Sequence, residues 1–121
     1  ELKYIDEYFG TQIFSGQERI MDVVTGETLW ALSYSGREYC ELNDNANEVL
    51  KEALTTGIKR NPYHWRGCCF VDEEQTSIGN YFTYKCHYNV SKDKKYVYGD
   101  DSLVYANKCF LETHFSGGFI K

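Results

Sequence analysis

The chain has 121 residues, of which 42% are hydrophobic and 17% aromatic, and its formal net charge at pH 7 is -5. This length suits one domain with one core, residues 1–121, and argues against a second domain. The acidic balance argues against direct binding to a nucleic-acid backbone, because such binding depends on clustered Lys and Arg side chains.

The cysteine usage indicates a reducing compartment. The count is odd and no CxxC spacing occurs among Cys40, Cys68, Cys69, Cys86 and Cys109. Together with the lack of an apolar leader, this is typical of reduced thiols in a cytoplasmic protein rather than a secreted disulfide framework. No apolar run approaches membrane-spanning length, so we expect no membrane contact.

The first third of the chain predicts a β-hairpin. Residues Leu2 to Phe9 fit neither a period of two nor one of 3.6, which indicates an irregular segment or a short strand. Gly10 and Gly16 then suggest a bulge or a close backbone approach at the edge of a pocket. The strand-like run from Arg19 to Val24, a turn at Thr25-Gly26-Glu27, and the strict alternation from Thr28 to Tyr34 form the hairpin.

The middle of the chain predicts one helix. Apolar residues recur at helical spacing from Ala46 to Ile58, with Asn45 and Glu48 as a capping pair and Gly57 where the helix would end. A loop rich in aromatic and basic residues follows, from Arg60 to Gly67, and Asp72 to Gly79 is interpreted as an acidic polar loop.

The last third predicts more strands. Alternation is clearest from Asn80 to Val90, with Phe82, Tyr84 and Cys86 on one face. A turn at Ser91 to Lys94 leads into a second β-rich unit. That unit places Cys109, Leu111, Thr113 and Phe115 on the face that carries Trp30, Leu32 and Tyr34.

The two β-rich units share a pattern that predicts an internal repeat. Residues 14–36 and 97–117 both read apolar-x-Gly-x-acid and close on aromatic-Ser-Gly. Such a unit cannot bury its apolar face alone, so we expect two copies to share one core. The predicted fold class is α+β: an antiparallel, open or strongly curved sheet of two related hairpins plus a meander strand, with the 46–58 helix packed on one face.

These glycine and aromatic positions carry a family resemblance over nearly the whole chain. The pattern includes Phe14-x-Gly16-x-Glu18, Leu29 to Gly36, Arg66-Gly67, Tyr81-x-x-Tyr84 and Phe115-x-Gly117-Gly118. It resembles an uncharacterised bacterial and phage domain family, similar to a domain of unknown function sometimes joined to Cro/C1-type helix-turn-helix regulators. The resemblance implies a sensor or accessory domain without catalytic residues to carry over. The chain lacks a helix-turn-helix segment, so a DNA-binding role does not transfer.

Aromatic and basic residues are the main site candidates. Stacking rings and guanidinium groups together can hold a planar or anionic ligand. The candidates for such a pocket are Arg37, Trp65, Arg66, Tyr81, Tyr84, Tyr96 and His114. The alternative is that these rings are sheet core and cross-strand pairs, an interpretation preferred for Tyr34 and Tyr84.

Catalytic and metal sites have weaker support. Cys86 and His87 are neighbours on a strand and face opposite ways, so nucleophilic pairing is left to His64 with Cys68 or His114 with Cys109. The three histidines lack metal-ligand spacing, and we expect no metal or cofactor. Glu18 and Asp101 occupy equivalent places in the two units; an acid beside a glycine turn can also simply accept backbone N–H groups.

Three functions follow in order of preference. The first is a non-catalytic domain that senses or sequesters a small planar anionic ligand, such as a nucleotide-derived signal. The second is an acidic protein-interaction module or inhibitor that docks a protein partner through Asp72 to Glu74 and Asp100-Asp101. The third is a small hydrolase that uses Glu18 and Asp101 or a cysteine. Pairing of sheet edges into a homodimer is also compatible with the pattern.

Overall fold

A computed structural model describes residues 1–41, 47, 48, 50–52, 54, 55, 74–76 and 82–120. Within these ranges the chain forms seven strands in one antiparallel sheet, in the order β1-β2-β3-β7-β6-β5-β4. The strands are β1 Leu2–Gly10, β2 Ile13–Asp22, β3 Thr28–Glu38, β4 Glu74–Thr76, β5 Thr83–Val90, β6 Tyr96–Tyr105 and β7 Lys108–Phe119.

The α+β prediction is wrong, because the described chain is mainly β. Helical conformation is confined to a few described positions between Asn47 and Thr55, inside the predicted helix 46–58. Leu50 packs against the core there, so this segment does contribute apolar cover to one face of the sheet. The rest of the predicted helix lies outside the described residues. None of the described helical segments is long and apolar enough to cross a membrane.

Two strands that the sequence predicted only in part or not at all contribute to the mainly-β class of the structure. The segment predicted to be irregular or a short strand, Leu2 to Phe9, lies in the nine-residue strand β1, which is paired along its whole length with β2. The predicted acidic loop contains β4, which pairs with β5 through Glu74 and Lys85. The full length of β1 and the presence of β4 were not predicted, because an edge strand with one neighbour carries little alternation in its sequence.

The turns follow from local chemistry. Between β2 and β3, the Asp22 carboxylate accepts the backbone N–H groups of Val24 and Thr25 at 2.7 and 3.1 Å, and Gly26 supplies a positive φ of 77°. Between β6 and β7, Ala106 and Asn107 have φ values of 51° and 61°. Positive φ at both central residues is the two-residue turn that matches the right-handed twist of a hairpin.

The two predicted units form hairpins with the same pairing. Gly16 lies opposite Tyr34 in the β2–β3 hairpin, and Gly99 lies opposite Phe115 in the β6–β7 hairpin. Each hairpin has a register shift at the same place, between Ile20 and Met21 in one and between Leu103 and Val104 in the other. The hairpins join through β3 and β7, with Ser33 opposite Ser116.

One face of the sheet carries the core. Its buried side chains include Trp30, Leu32, Tyr34, Leu103, Leu111 and Phe115. This face is called the core face below, and the opposite one, with Ser35, Arg37 and His114, the outer face.

Candidate functional site

A cleft of about 460 Å³ lies on the outer face across β2, β3 and β7. Ser15 is opposite Ser35, and Ser35 is opposite His114, so two hydroxyls and an imidazole form one row across these three strands. Arg37 and Glu112 form the next row. We call this depression the outer cleft; Phe9 and Ile13 supply its apolar wall.

The polar end of the outer cleft is a connected cluster. The Arg37 guanidinium carbon lies 5.2 Å from the centre of the Tyr39 ring, within the range of a cation–π contact. The Tyr39 hydroxyl donates to Glu112 Oε1 at 3.1 Å, and His114 Nε2 is 3.9 Å from the same oxygen. The hydrogen bond to Glu112 raises the pKa of Tyr39 above its ordinary value. Glu112 therefore already has partners, while Arg37 is positioned by the ring.

The apolar wall is unusually open to solvent. Phe9 is 76% exposed and Ile13 is 71% exposed. An exposed ring beside a guanidinium and two hydroxyls offers a stacking surface and an anion contact in the same depression. A neighbouring depression of about 280 Å³ shares Ser15, Ser35 and His114 and extends the polar floor to Ser33 and Ser116.

The structure brings together two of the predicted site residues. Arg37 and His114 both line the outer cleft. Tyr84 is fully buried on the core face, which confirms the preferred interpretation of this ring as core. Tyr96 lies on the outer face, opposite Gly118, four residues along β7 from His114 and about 13 Å away along the strand. Trp65, Arg66 and Tyr81 lie outside the described residues.

The buried carboxylates are held by tyrosine hydroxyls. The Tyr84 hydroxyl donates to Asp101 Oδ2 at 2.6 Å, and the Tyr4 hydroxyl donates to Glu18. Burial and the neighbouring Glu18 charge raise the pKa of Tyr4. Tyr4 lies opposite Ile20 and Tyr84 opposite Leu103, so each tyrosine reaches the acid two residues before its pairing partner.

This arrangement does not favour the hydrolase hypothesis. Glu18 is on β2 and Asp101 on β6, with β3 and β7 between them. Three strand spacings amount to roughly 14 Å, measured across the sheet. Carboxyl pairs in glycoside hydrolases are about 5 to 9.5 Å apart. Each acid instead has a structural role beside its tyrosine.

The cysteines differ from the expectation of five reduced thiols. Cys86 is buried and disulfide-bonded, whereas Cys40 and Cys109 are free. The Cys109 thiol donates to the Leu111 carbonyl at 3.3 Å, and burial raises its pKa, which disfavours the nucleophilic thiolate. Cys109 and His114 are five residues apart on one extended strand, about 17 Å, so they do not form a catalytic pair. His64, Cys68 and Cys69 lie outside the described residues.

Two histidines come closer than their sequence positions suggest. His87 and His114 lie opposite Asp100 from either side, in one row of the outer face. Among the described residues, however, no group of three His, Cys, Asp or Glu side chains is arranged to hold a metal ion.

Several cleft residues were not among the sequence candidates. Phe9 was overlooked because its segment was predicted to be irregular or only a short strand. Ser15 and Ser35 were overlooked because small polar residues on a strand resemble any solvated face. The sequence did hold one signal for the two serines: each immediately precedes the glycine of a predicted repeat motif, Gly16 or Gly36.

Comparison with known proteins gives one match. The model of a family described as "Domain of unknown function (DUF5680)" matches residues 6–120, which is nearly the whole chain. No curated protein and no solved structure matches.

Proposed function

The chain belongs to the family described as Domain of unknown function (DUF5680), and from the geometry of the outer cleft we propose that it binds a small planar anion without catalysis. The observation that carries the proposal is that Arg37 and His114 line one cleft with Ser15, Ser35 and the exposed Phe9 ring. Guanidinium and hydroxyl groups suit a carboxylate or phosphate, and the ring suits a planar body.

The cleft favours a ligand with a flat body over a bare ion. It is shallow and only partly polar, and an isolated phosphate would leave the exposed Phe9 and Ile13 side chains uncovered. A nucleotide-type or aromatic acid would cover them while its charge meets Arg37. The role is sensing or sequestering the ligand, as the resemblance to domains joined to Cro/C1-type regulators of bacteria and phages implies. A regulatory function in the cytoplasm belongs to the same proposal.

Thermal unfolding with chosen probes tests this proposal. Adenosine monophosphate, benzoate and inorganic phosphate serve as a nucleotide, a planar acid and a bare anion. A ligand that binds the native state raises its stability by an amount set by concentration and affinity, about 2.7 kcal/mol at 100 times the dissociation constant. We expect at least one planar anion to raise the unfolding temperature and phosphate alone to have a much smaller effect.

Variants locate the effect. Arg37→Ala and Phe9→Ala should remove the stabilisation by the planar anion, because one loses the charge contact and the other the stacking surface. Arg19→Ala is the matched control: Arg19 is on β2, away from the cleft, and pairs with Glu7 at 3.6 Å. Absence of stabilisation by all three probes at millimolar concentration, or stabilisation that persists in Arg37→Ala, would refute the proposal.

The protein-interaction alternative loses part of its motivation. It relied on an acidic surface that included Asp100-Asp101, but Asp101 is fully buried. The Asp72 to Glu74 side chains lie outside what the structure describes. The ligand proposal therefore has the more specific support.

A further inference from the structure

We propose that the edge strand β1 is a self-association surface, on which a second copy of this chain pairs antiparallel with its own β1. Among the described strands, β1 has β2 as its sole neighbour. A long edge strand with exposed apolar side chains is a template for another strand; proline or a bulge interferes with such pairing, and charged side chains limit which strands can pair. In β1, Leu2 is 52%, Tyr8 63% and Phe9 76% exposed, and no proline or register shift interrupts its pairing with β2.

The hydrogen-bond pattern shows which backbone groups face the edge. The Val23 N–H donates to the Glu1 carbonyl at 3.0 Å, so the odd-numbered residue Glu1 directs its backbone groups toward the β2 side, inside the same chain. Backbone groups in an antiparallel ladder alternate in direction from residue to residue. The same pairing continues without a shift through β1, so Leu2, Asp6 and Tyr8 direct their N–H and C=O groups outward. A partner strand must therefore pair even-numbered residues with even-numbered residues.

Charge selects one register among those that remain. With the two-fold axis at Ile5, Lys3 of one copy lies opposite Glu7 of the other, twice by symmetry, and Leu2 lies opposite Tyr8. With the axis at Asp6, two aspartates would face each other. With the axis at Tyr4, Glu1 would face Glu7. Opposite charges across a strand pair stabilise it and like charges destabilise it.

The selected register also suits the side-chain faces. Lys3, Ile5 and Glu7 alternate with the core-face residues, so all three lie on the outer face, where Ile5 is opposite Arg19. The Arg19 guanidinium is 3.6 Å from Glu7, whose side chain remains 66% exposed. Glu7 can therefore accept the partner's lysine as well. The two sheets would become one continuous sheet, with an isologous interface as expected of a two-fold dimer.

Sedimentation equilibrium over micromolar to millimolar concentrations tests this register. We expect a reversible dimer that weakens at high salt, since charge pairs at an exposed edge are screened. Lys3→Glu should weaken the dimer roughly tenfold, because it creates two like-charge contacts. The double variant Lys3→Glu/Glu7→Lys should restore the affinity. Lys92→Glu is the matched control, since it makes the same charge change in the exposed β5–β6 turn and should leave the dimer unchanged.

A backbone variant tests the pairing itself. Tyr8→Pro removes an outward N–H while keeping the ladder to β2, and proline is tolerated on an edge strand in this orientation. We expect it to yield a monomer with native far-ultraviolet circular dichroism. A wild-type protein that stays monomeric at millimolar concentration would overturn the proposal. A dimer that is indifferent to Tyr8→Pro, or one that the double charge exchange fails to restore, would also overturn it.

Discussion

Tyr84 and Asp101 form the most buried polar contact among the described side chains. Both residues are 0% exposed, and the hydroxyl–carboxylate distance is 2.6 Å. A carboxylate taken out of water is costly unless hydrogen bonds replace its hydration. The Tyr84 hydroxyl supplies one of those bonds, so we assign it a structural role rather than a ligand-binding one.

Removing that hydroxyl should lower stability. Tyr84→Phe keeps the ring but withdraws a donor from a buried acid, and we expect the free energy of unfolding to fall by about 1–3 kcal/mol. Urea denaturation monitored by fluorescence measures the change. Tyr39→Phe is the control, because Tyr39 donates to Glu112 at 3.1 Å but is 51% exposed, so water can replace the lost bond. Equal losses in the two variants would contradict this assignment.

The sequence indicated the position of these acids but not their partners. The interpretation that Glu18 and Asp101 occupy equivalent places agrees with their pairing, opposite Leu32 and Thr113 in the two hairpins. The hydrogen bonds described for these acids come from tyrosines on neighbouring strands, and the backbone donors expected beside a glycine turn stay a prediction. Which side chain crosses to an acid depends on the pairing of strands distant in sequence, and local pattern does not specify it.

At the scale of elements, close backbone contact in the strands depends on glycine. A Cβ atom added at Gly99 would lie 2.1 Å from the His87 carbonyl oxygen and 2.8 Å from the Tyr88 Cα, both in the backbone of β5. Backbone cannot rotate aside as a side chain can, so β5 and β6 would have to separate there.

This contact gives a prediction for the β5–β6 ladder. Gly99→Ala should lower the free energy of unfolding by more than about 2 kcal/mol, in the range of strongly destabilising core changes. Gly26→Ala is the matched control: its φ of 77° is unfavourable for alanine, but nothing lies within 4 Å of the added methyl group. That variant should lose about 1 kcal/mol, the strain of the left-handed conformation alone. Similar losses at both positions, measured by urea denaturation, would refute the steric explanation.

The hairpins were the most predictable elements. The alternation around Leu32 and from Leu111 to Phe115 identified the buried faces correctly, and the turns at Gly26 and at Lys94 are where their residue types indicated. Cys109, predicted on the same face, pairs beyond the register shift and is only half-buried. The outer cleft was only partly predictable, because Arg37 and His114 come from strands that pair across the centre of the sheet. Their proximity depends on the β3–β7 register, which no local pattern contains.

At the scale of the whole molecule, the disulfide at Cys86 changes the expected redox chemistry. One disulfide uses two of the five cysteines, which leaves three thiols. We expect a thiol reagent to detect about three thiols in denatured protein prepared without reductant, and five after reduction. Alkylation followed by mass analysis would show which cysteines form the disulfide. Five reactive thiols without reductant would show that the bond does not form in solution. If the bond does form, reduction should lower the unfolding temperature, since a cross-link constrains the unfolded chain.

The fold class shows how far composition can lead. The aromatic content correctly indicated a sheet. One well-capped helical pattern, however, led us to give the helix too much weight in the predicted architecture. The described chain is dominated by strands, three of which precede the predicted helix and four of which follow it. A helix is visible in sequence from its own residues, whereas edge strands such as β1 are defined by what they pair with.

The position of β7 has a consequence for biosynthesis. A ribosome makes β1, β2 and β3 early and β7 late, yet β7 is the direct neighbour of β3 in the finished sheet. Until β7 emerges, the nascent chain presents β3 with one side of its ladder open and Trp30 and Leu32 without their final surroundings. Exposed strand edges in incomplete chains are sites of aggregation. The interval between translation of β3 and β7 is therefore the period in which the nascent chain is most exposed to aggregation through this edge.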